Sequence, residues 1–160
     1  MAGSTTKKTV IRRFQKEPLA GYVNPASYLQ PAGVELLSAL GNLSTVPYEE
    51  IKTISFVRDF EGAGETGRRV FNTRPKMEGL WISLQFRDGE VMEGIMPNNL
   101  LPLEPYGFTV IPPDSYSNQQ RVFIQRAAVR SVEVLGVVGS PLKKRKAPAV
   151  LKEQIGLFDE

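Results

Sequence analysis

The stretch ISLQFRDGEVMEGIM, residues 82–96, decides how this chain reads. Ile82, Leu84 and Phe86 fall on one side of an extended backbone, and Ser83 and Gln85 on the other. That is the period of a half-buried strand. RDGE (87–90) is a hairpin turn in which Gly89 supplies the positive φ. VMEGIM (91–96) is the returning strand, and Gly94 inside it marks a bulge or sharp bend, as a small curled sheet needs. Downstream, YGFTVIP (106–112) predicts a third strand, ended by Pro112 and Pro113. RVFIQ (121–125) predicts a fourth and VRSVEVLGVV (129–138) a fifth.

The same pattern is written earlier in the chain. With Val10 set on Ile82, VIRRF lies on ISLQF and Phe14 falls on Phe86. QKEPLAGYV (15–23) then lies on RDGEVMEGIM with a one-residue gap, and Gly21 falls on Gly94. GVELL (33–37) lies on GFTVI (107–111), and PYEEIKTISFV (47–57) on QRAAVRSVEVL (125–135). The offset grows from 72 to 78, and the difference falls in turns and loops, where insertions are tolerated. VELLSAL (34–40) reads as a turn or two of helix or as a strand, and its alignment with FTVIP favours the strand.

Five short strands in each copy predict an all-β chain of two tandem, small, SH3-like barrels with flexible basic termini. The expected limits are a basic N-terminal arm over 1–8, a first barrel over 9–58, a linker over 59–78 and a second barrel over 79–138. A tail over 139–160 follows. The Gly-rich, charged linker carries Arg68, Arg69, Arg74 and Lys76; most of it reads as mobile, and its RRVF reads as an added strand or as a segment packed across the two barrels. Domains this small bury little surface, so the barrels are expected to share an interface or to form a homo-oligomer. Leu100, Leu101, Leu103 and Tyr106, in a proline-studded loop, are candidates for that contact.

Composition narrows the function. With 41% hydrophobic and 23% charged residues the chain belongs with soluble globular proteins. It has no cysteine, which fits a reducing compartment such as the cytoplasm, and no histidine, the commonest general base and metal ligand. Neither a signal peptide nor an apolar run long enough to span a membrane is evident. The net charge of +3 is segregated: residues 1–16 carry +5 and 141–160 carry +2, which leaves −4 for residues 17–140. Asp88 and Glu90 could form an acid–base pair, but as residues flanking a turn glycine they need no catalytic role. EGAGETG lacks the lysine and the strand–helix setting of a phosphate loop. RRVFNTR has the arginines of a cyclic-dinucleotide clamp without the downstream half. No enzyme and no cofactor is expected.

The order strand, DG turn, strand with an inner glycine, two strands, tight turn and last strand resembles the Sm-like fold of Sm, Lsm and Hfq proteins. FRDGEVMEGIM resembles the first Sm motif and VFIQRAAVRSVEVL the second. More closely, the chain resembles uncharacterised bacterial proteins with two degenerate Sm-like units. The resemblance implies RNA binding. Sm-like proteins read uridine with an Asp and Asn pair in the loop after the second strand. Here that loop holds Asn98 and Asn99 in one copy and Asn24 in the other, with no matching aspartate. Hfq places a Lys-His pair in the last turn, which here is PYEE or QRAA; Arg126 is the group left to meet a phosphate, while Glu49 and Glu50 oppose one.

The candidate contacts for single-stranded RNA or DNA are therefore Lys7, Lys8, Arg12, Arg13, Arg68, Arg69 and Arg126. Tyr22, Tyr28, Tyr106 and Tyr116 either stack on bases or pack the barrel ends. In the tail, KKRKAPA reads as a flexible basic spacer. QIGLF (154–158) resembles the motif by which bacterial replication and repair proteins bind the sliding clamp. That resemblance implies a protein partner docked through Gln154, Ile155, Leu157 and Phe158, with Gly156 where the motif usually has Ser or Asp. The alternative is that the segment folds back on its own barrel. The second function carried from the sequence is thus a protein-interaction adaptor.

Overall fold

The computed structural model describes residues 6–61, 69–99, 101, 103–113 and 119–139. It is all-β, and no helix among the described residues is long and apolar enough to cross a membrane. The first half contains β1 (Lys7–Arg13), β2 (Lys16–Val23), β3 (Leu29–Gln30), β4 (Gly33–Leu37), β5 (Leu43–Val46) and β6 (Ile51–Val57). The second contains β7 (Gly79–Phe86), β8 (Val91–Met96), β9 (Gly107–Val110), β10 (Gln119–Gln125) and β11 (Val129–Val138). Single 3₁₀ turns, Tyr48–Glu50 and Arg126–Ala128, lead into β6 and β11. The ambiguous VELLSAL stretch is a strand as far as Leu37. β1 begins at Lys7, so the last two residues of the expected basic arm belong to the sheet.

The strand pairs are all antiparallel, and the described strands fall into one eight-stranded and one three-stranded sheet. In the first half the order is β5-β4-β2-β1-β6. In the second the order is split between two sheets: β10-β9 continue the eight-stranded sheet from β6, and β8-β7-β11 form a three-stranded sheet, with an isolated Ile95–Ile111 bridge between β8 and β9. Glycines carry the closest approaches. A Cβ on Gly33 would lie 2.3 Å from the Val46 carbonyl oxygen, and one on Gly107 only 2.0 Å from that of Ile124. Those distances are far inside contact range, so no larger residue fits at the start of either third strand.

The register corrects one expectation. Thr9 pairs with Gly21 as Ile82 pairs with Gly94, and Ile11 with Leu19 as Leu84 with Met92. Likewise the Phe14 amide donates to the Glu50 carbonyl at 2.9 Å, as that of Arg87 does to Ala128 at 2.8 Å. The first strands therefore superpose Thr9, not Val10, on Ile82, and no gap is needed before Gly21. A one-residue slip exchanges the faces of a strand. Ile11 enters the first core, whereas Val10 lies on the other face against Val57 and Phe60. The run Thr9-Val10-Ile11 is buried throughout, so alternation alone could not choose its face. Phe14, expected to match core Phe86, instead packs against the second core from its margin.

The two halves meet at a seam in which β10 pairs with β6. Ser55 opposes Val122, Ile54 opposes Phe123, and Phe56 opposes Arg121. The alternation of β10 divides its side chains between two cores. Phe123 joins Ile11, Ile54 and Phe56 in the first, while Val122 and Ile124 join Ile82, Leu84 and Phe86 in the second. Burying a side chain such as Phe123 contributes about 1.5–3 kcal/mol, so the halves share apolar stabilisation as well as backbone pairing. Tyr106, one of the residues expected at the contact, stacks on Tyr48 at 4.6 Å and 12°. Leu101 is exposed and Leu100 lies outside the described residues.

Polar links tighten the seam. Lys52 on β6 reaches Asp88 at 2.8 Å and Glu90 at 2.6 Å across the halves. The Gln125 amide donates to the Tyr48 carbonyl, and Arg87 to that of Glu49 at 2.5 Å. The described end of the expected linker adds no strand. Phe60 packs on Val10 and Val57 of the first half, while residues 69–78 lie against the second: Phe71 meets Trp81 edge-on at 6.3 Å, and Arg74 donates to the Val137 carbonyl at 3.0 Å.

Candidate functional site

Each half has a loop after its second strand, and both loops reach the seam. In the first, Asn24 makes a turn: its side-chain oxygen accepts from the Ala26 amide at 2.9 Å and its carbonyl from Tyr28 at 2.9 Å. In the second, the Asn99 side chain accepts from the Leu101 amide at 3.1 Å. Such Asx turns fix a loop without regular structure. Between the loops, over the β6–β10 pair, lies a cleft of about 240 Å³ whose lining includes Tyr28, Phe56, Asn99, Glu104, Phe108 and Arg121.

The cleft joins aromatic surface to one cation. Tyr28 is buried and meets Phe56 and Phe123 edge-on at 5.8 and 6.1 Å. The Arg121 guanidinium stands over the Phe56 ring at 5.8 Å, a cation–π distance. Burial pushes the Tyr28 phenol well above its usual range; Glu104 adds to the rise and Arg121 opposes it. The hydroxyl is therefore a neutral donor at any physiological pH. A flat ring, an anionic group and a hydrogen-bond acceptor all find partners here. Of the residues expected to stack on bases, Tyr28 belongs to this cleft. Tyr22 packs edge-on against Phe60 at 5.3 Å, and Tyr116 lies outside the described residues.

The cations singled out from the sequence lie elsewhere. Lys7 is exposed on β1, and Lys8 stands over the Phe60 ring at 5.8 Å. Arg13 donates to the Glu17 carbonyl at 2.7 Å and to Glu50 at 3.3 Å. Arg12 is half-buried near Arg69 and Glu90; burial first, then Arg69, holds its guanidinium below the usual value. Arg69 also pairs with Glu90. Arg126 is exposed on the 3₁₀ turn after β10, five residues beyond Arg121 and about 17 Å away at the usual strand rise. Arg68 and the residues Gln154, Ile155, Leu157 and Phe158 lie outside the described residues.

The acidic groups are occupied. Asp88 and Glu90 both bind Lys52. Burial alone would raise Asp88, but the hydrogen bonds from Lys52 and from the Glu90 amide outweigh it and hold the carboxyl below its normal value. Glu50, the last residue of the 3₁₀ turn before β6, is held low chiefly by its hydrogen bond from Lys16. These contacts assign Asp88 and Glu90 to the joint between the halves. Sequence reasoning missed Arg121, Phe56 and Phe108 because the cleft exists only once β6 lies beside β10, and Phe56 and Arg121 are 65 positions apart.

Comparison with curated proteins and with solved structures gives no match. The pattern of a family of unknown function, DUF6982, matches residues 5–136, which takes in both halves and the seam. The chain belongs to that family.

Proposed function

We propose that the chain is a non-enzymatic binding protein, two Sm-like five-stranded barrels in tandem, that holds single-stranded nucleic acid, RNA foremost, in the seam cleft. The observation that carries this reading is the convergence of both post-second-strand loops on one aromatic cleft with Arg121 at its edge. A base stacks on the aromatic surface while a neighbouring phosphate pairs with Arg121, the combination that suits single strands. The Tyr28 hydroxyl donates to a base or phosphate oxygen. The body is acidic, so long-range attraction falls to the two basic ends of the sequence, which carry Lys7 and Lys8 and the cations of 143–146. The absence of cysteine supports a cytoplasmic setting.

Fluorescence anisotropy with labelled oligo-U and oligo-dT, across a salt series, tests the proposal. Binding should weaken steeply as salt rises, because released counterions drive it. Arg121→Ala should lower affinity about tenfold, the scale of a lost charged contact. No detectable binding at low salt would refute the reading. The adaptor reading rests on the likeness of QIGLF to a clamp-binding motif and is separable: pull-downs with and without residues 154–158 that recover the same partners would remove it.

A further inference from the structure

The seam does not use the segment between the repeats. Residues 69–77 lie against the second half as a strap held at two points. Near its start, the Glu93 amide donates to the Arg69 carbonyl at 2.8 Å. The Glu93 carboxylate accepts from the Phe71 amide at 3.2 Å and from the Trp81 indole at 3.0 Å. Further on, Arg74 donates to the Val137 carbonyl at 3.0 Å. Between the strap and the Ile95–Ile111 bridge lies a cavity of about 340 Å³. It shares no lining residue with the seam cleft: Met96 lines that cleft and Ile95 this cavity, and successive residues of a strand face opposite ways.

Phe71, Pro75, Ile95, Ile111, Pro112 and Pro113 give the cavity apolar walls. Arg74 and Lys76 also line it, and both are exposed at its rim. No carboxylate is among the described residues of the lining, so the charge at the rim is wholly positive. A guanidinium carries five donors, so Arg74 can hold the strap to Val137 and still meet an anion. Mostly apolar walls with a few placed polar groups are the make-up of a small-molecule site, and the volume falls at the lower end of the usual range of about 300–1,000 Å³. We propose that this cavity binds a small monocarboxylate: a ring or short aliphatic body lies against the prolines, Ile95 and Ile111, and the carboxylate pairs with Arg74 and Lys76. The planar fork of arginine matches a carboxylate in both spacing and charge.

The first half shows what the strap adds. With Gly21 set on Gly94 and Gly33 on Gly107, Tyr22 corresponds to Ile95 and Leu37 to Ile111, and Tyr22 and Leu37 are paired in the same way. They line a hollow edged by Thr6, Lys8 and Gly41, with no residue of 69–77 in its lining. Ser38 and Ala39 stand there in place of Pro112 and Pro113. The apolar walls and the paired cations therefore belong to the second half alone, and the strap supplies both cations.

The chain has one tryptophan, Trp81, in edge-on contact with Phe71 of the cavity wall, so its fluorescence reports on the site. Phenylbutyrate titrated into the full chain should change that fluorescence saturably. It should also shift the methyl NMR signals of Ile95, Ile111 and Met77 and leave Leu37, at the matching place in the first half, unmoved. Phenylbutyramide, which has the same body without the charge, should bind about tenfold more weakly, the scale of a charged hydrogen bond. Lys76→Glu should weaken binding of the acid by about tenfold. It should leave the affinity of the amide and the urea midpoint unchanged, which separates a lost ligand contact from a lost fold. No fluorescence change up to the solubility limit of phenylbutyrate, methyl shifts centred elsewhere, equal affinity for acid and amide, or an acid affinity untouched by Lys76→Glu would each overturn the proposal.

Discussion

Strands β6 and β11 do the same work in their halves and end in different surroundings. Each follows a 3₁₀ turn and pairs with the first strand of its half. Every residue of β6 except Lys52 is buried, because β1 covers one edge and β10 the other. In β11, Val132, Val134, Leu135 and Val137 are exposed. The sequences hardly differ in character: ISFV in one, VEVL in the other. Burial here is a property of the neighbour and not of the strand: among the described residues β6 has a strand along both edges and β11 along one.

Substitutions can break that comparison, and the largest contrast lies at the seam. Phe123→Ala empties a site shared by β10 and the first core and should cost about 3–5 kcal/mol. Val134→Ala on β11, where the side chain is exposed, should stay within about 0.5 kcal/mol. Urea denaturation of both measures the difference, and equal losses would mean the seam is not a core. Next, Gly107→Ala places a methyl against the Ile124 carbonyl and should cost about 1–3 kcal/mol, with a similar loss from Gly33→Ala. A large effect in one half alone would show that the two third strands are not equivalent.

A smaller effect follows pH. The folded pKa of Asp88 lies below its unfolded value of about 3.9. Its contribution is therefore full above that value and fades as pH falls through the folded one. The denaturant midpoint should drop on acidification through that range, and Lys52→Met should flatten the drop. An unchanged profile would separate the Lys52–Asp88 link from seam stability. The smallest effect is alkaline. Burial, and then Tyr106, push the Tyr48 phenol up to about 12. Since unfolded tyrosine titrates near 10, this contribution is complete below about 10 and is lost as pH rises through about 12. Tyr48→Phe should remove that part of the alkaline decline.

Much of this was legible in the sequence because it is local. The period-two runs, the turn at Gly89 and the paired glycines Gly21/Gly94 and Gly33/Gly107 all report on neighbours within one repeat. The face of β1 was not legible, since Thr9-Val10-Ile11 is buried on both sides and the slip of one residue left every strand in place. The basic residues read as a nucleic-acid surface are in part structural: Arg13 ties β1 to β2 and Glu50, and Arg69 ties the chain to Glu90. The cleft was invisible for a different reason. Phe56 and Arg121 carry no motif, and only the pairing of a last strand with a distant fourth strand sets them together.

Hydrogen exchange on the chain tests the central claim, that the β6–β10 seam joins strands of both repeats in one eight-stranded sheet. Every amide from Thr53 to Phe56 should exchange slowly, because β6 is bonded along both edges. In β11, alternate amides between Ser131 and Val134 should be slow and the others, which face away from β7, fast. Alternating protection in β6 as well as in β11 would contradict the account, because it would mean that β10 does not hold the second edge.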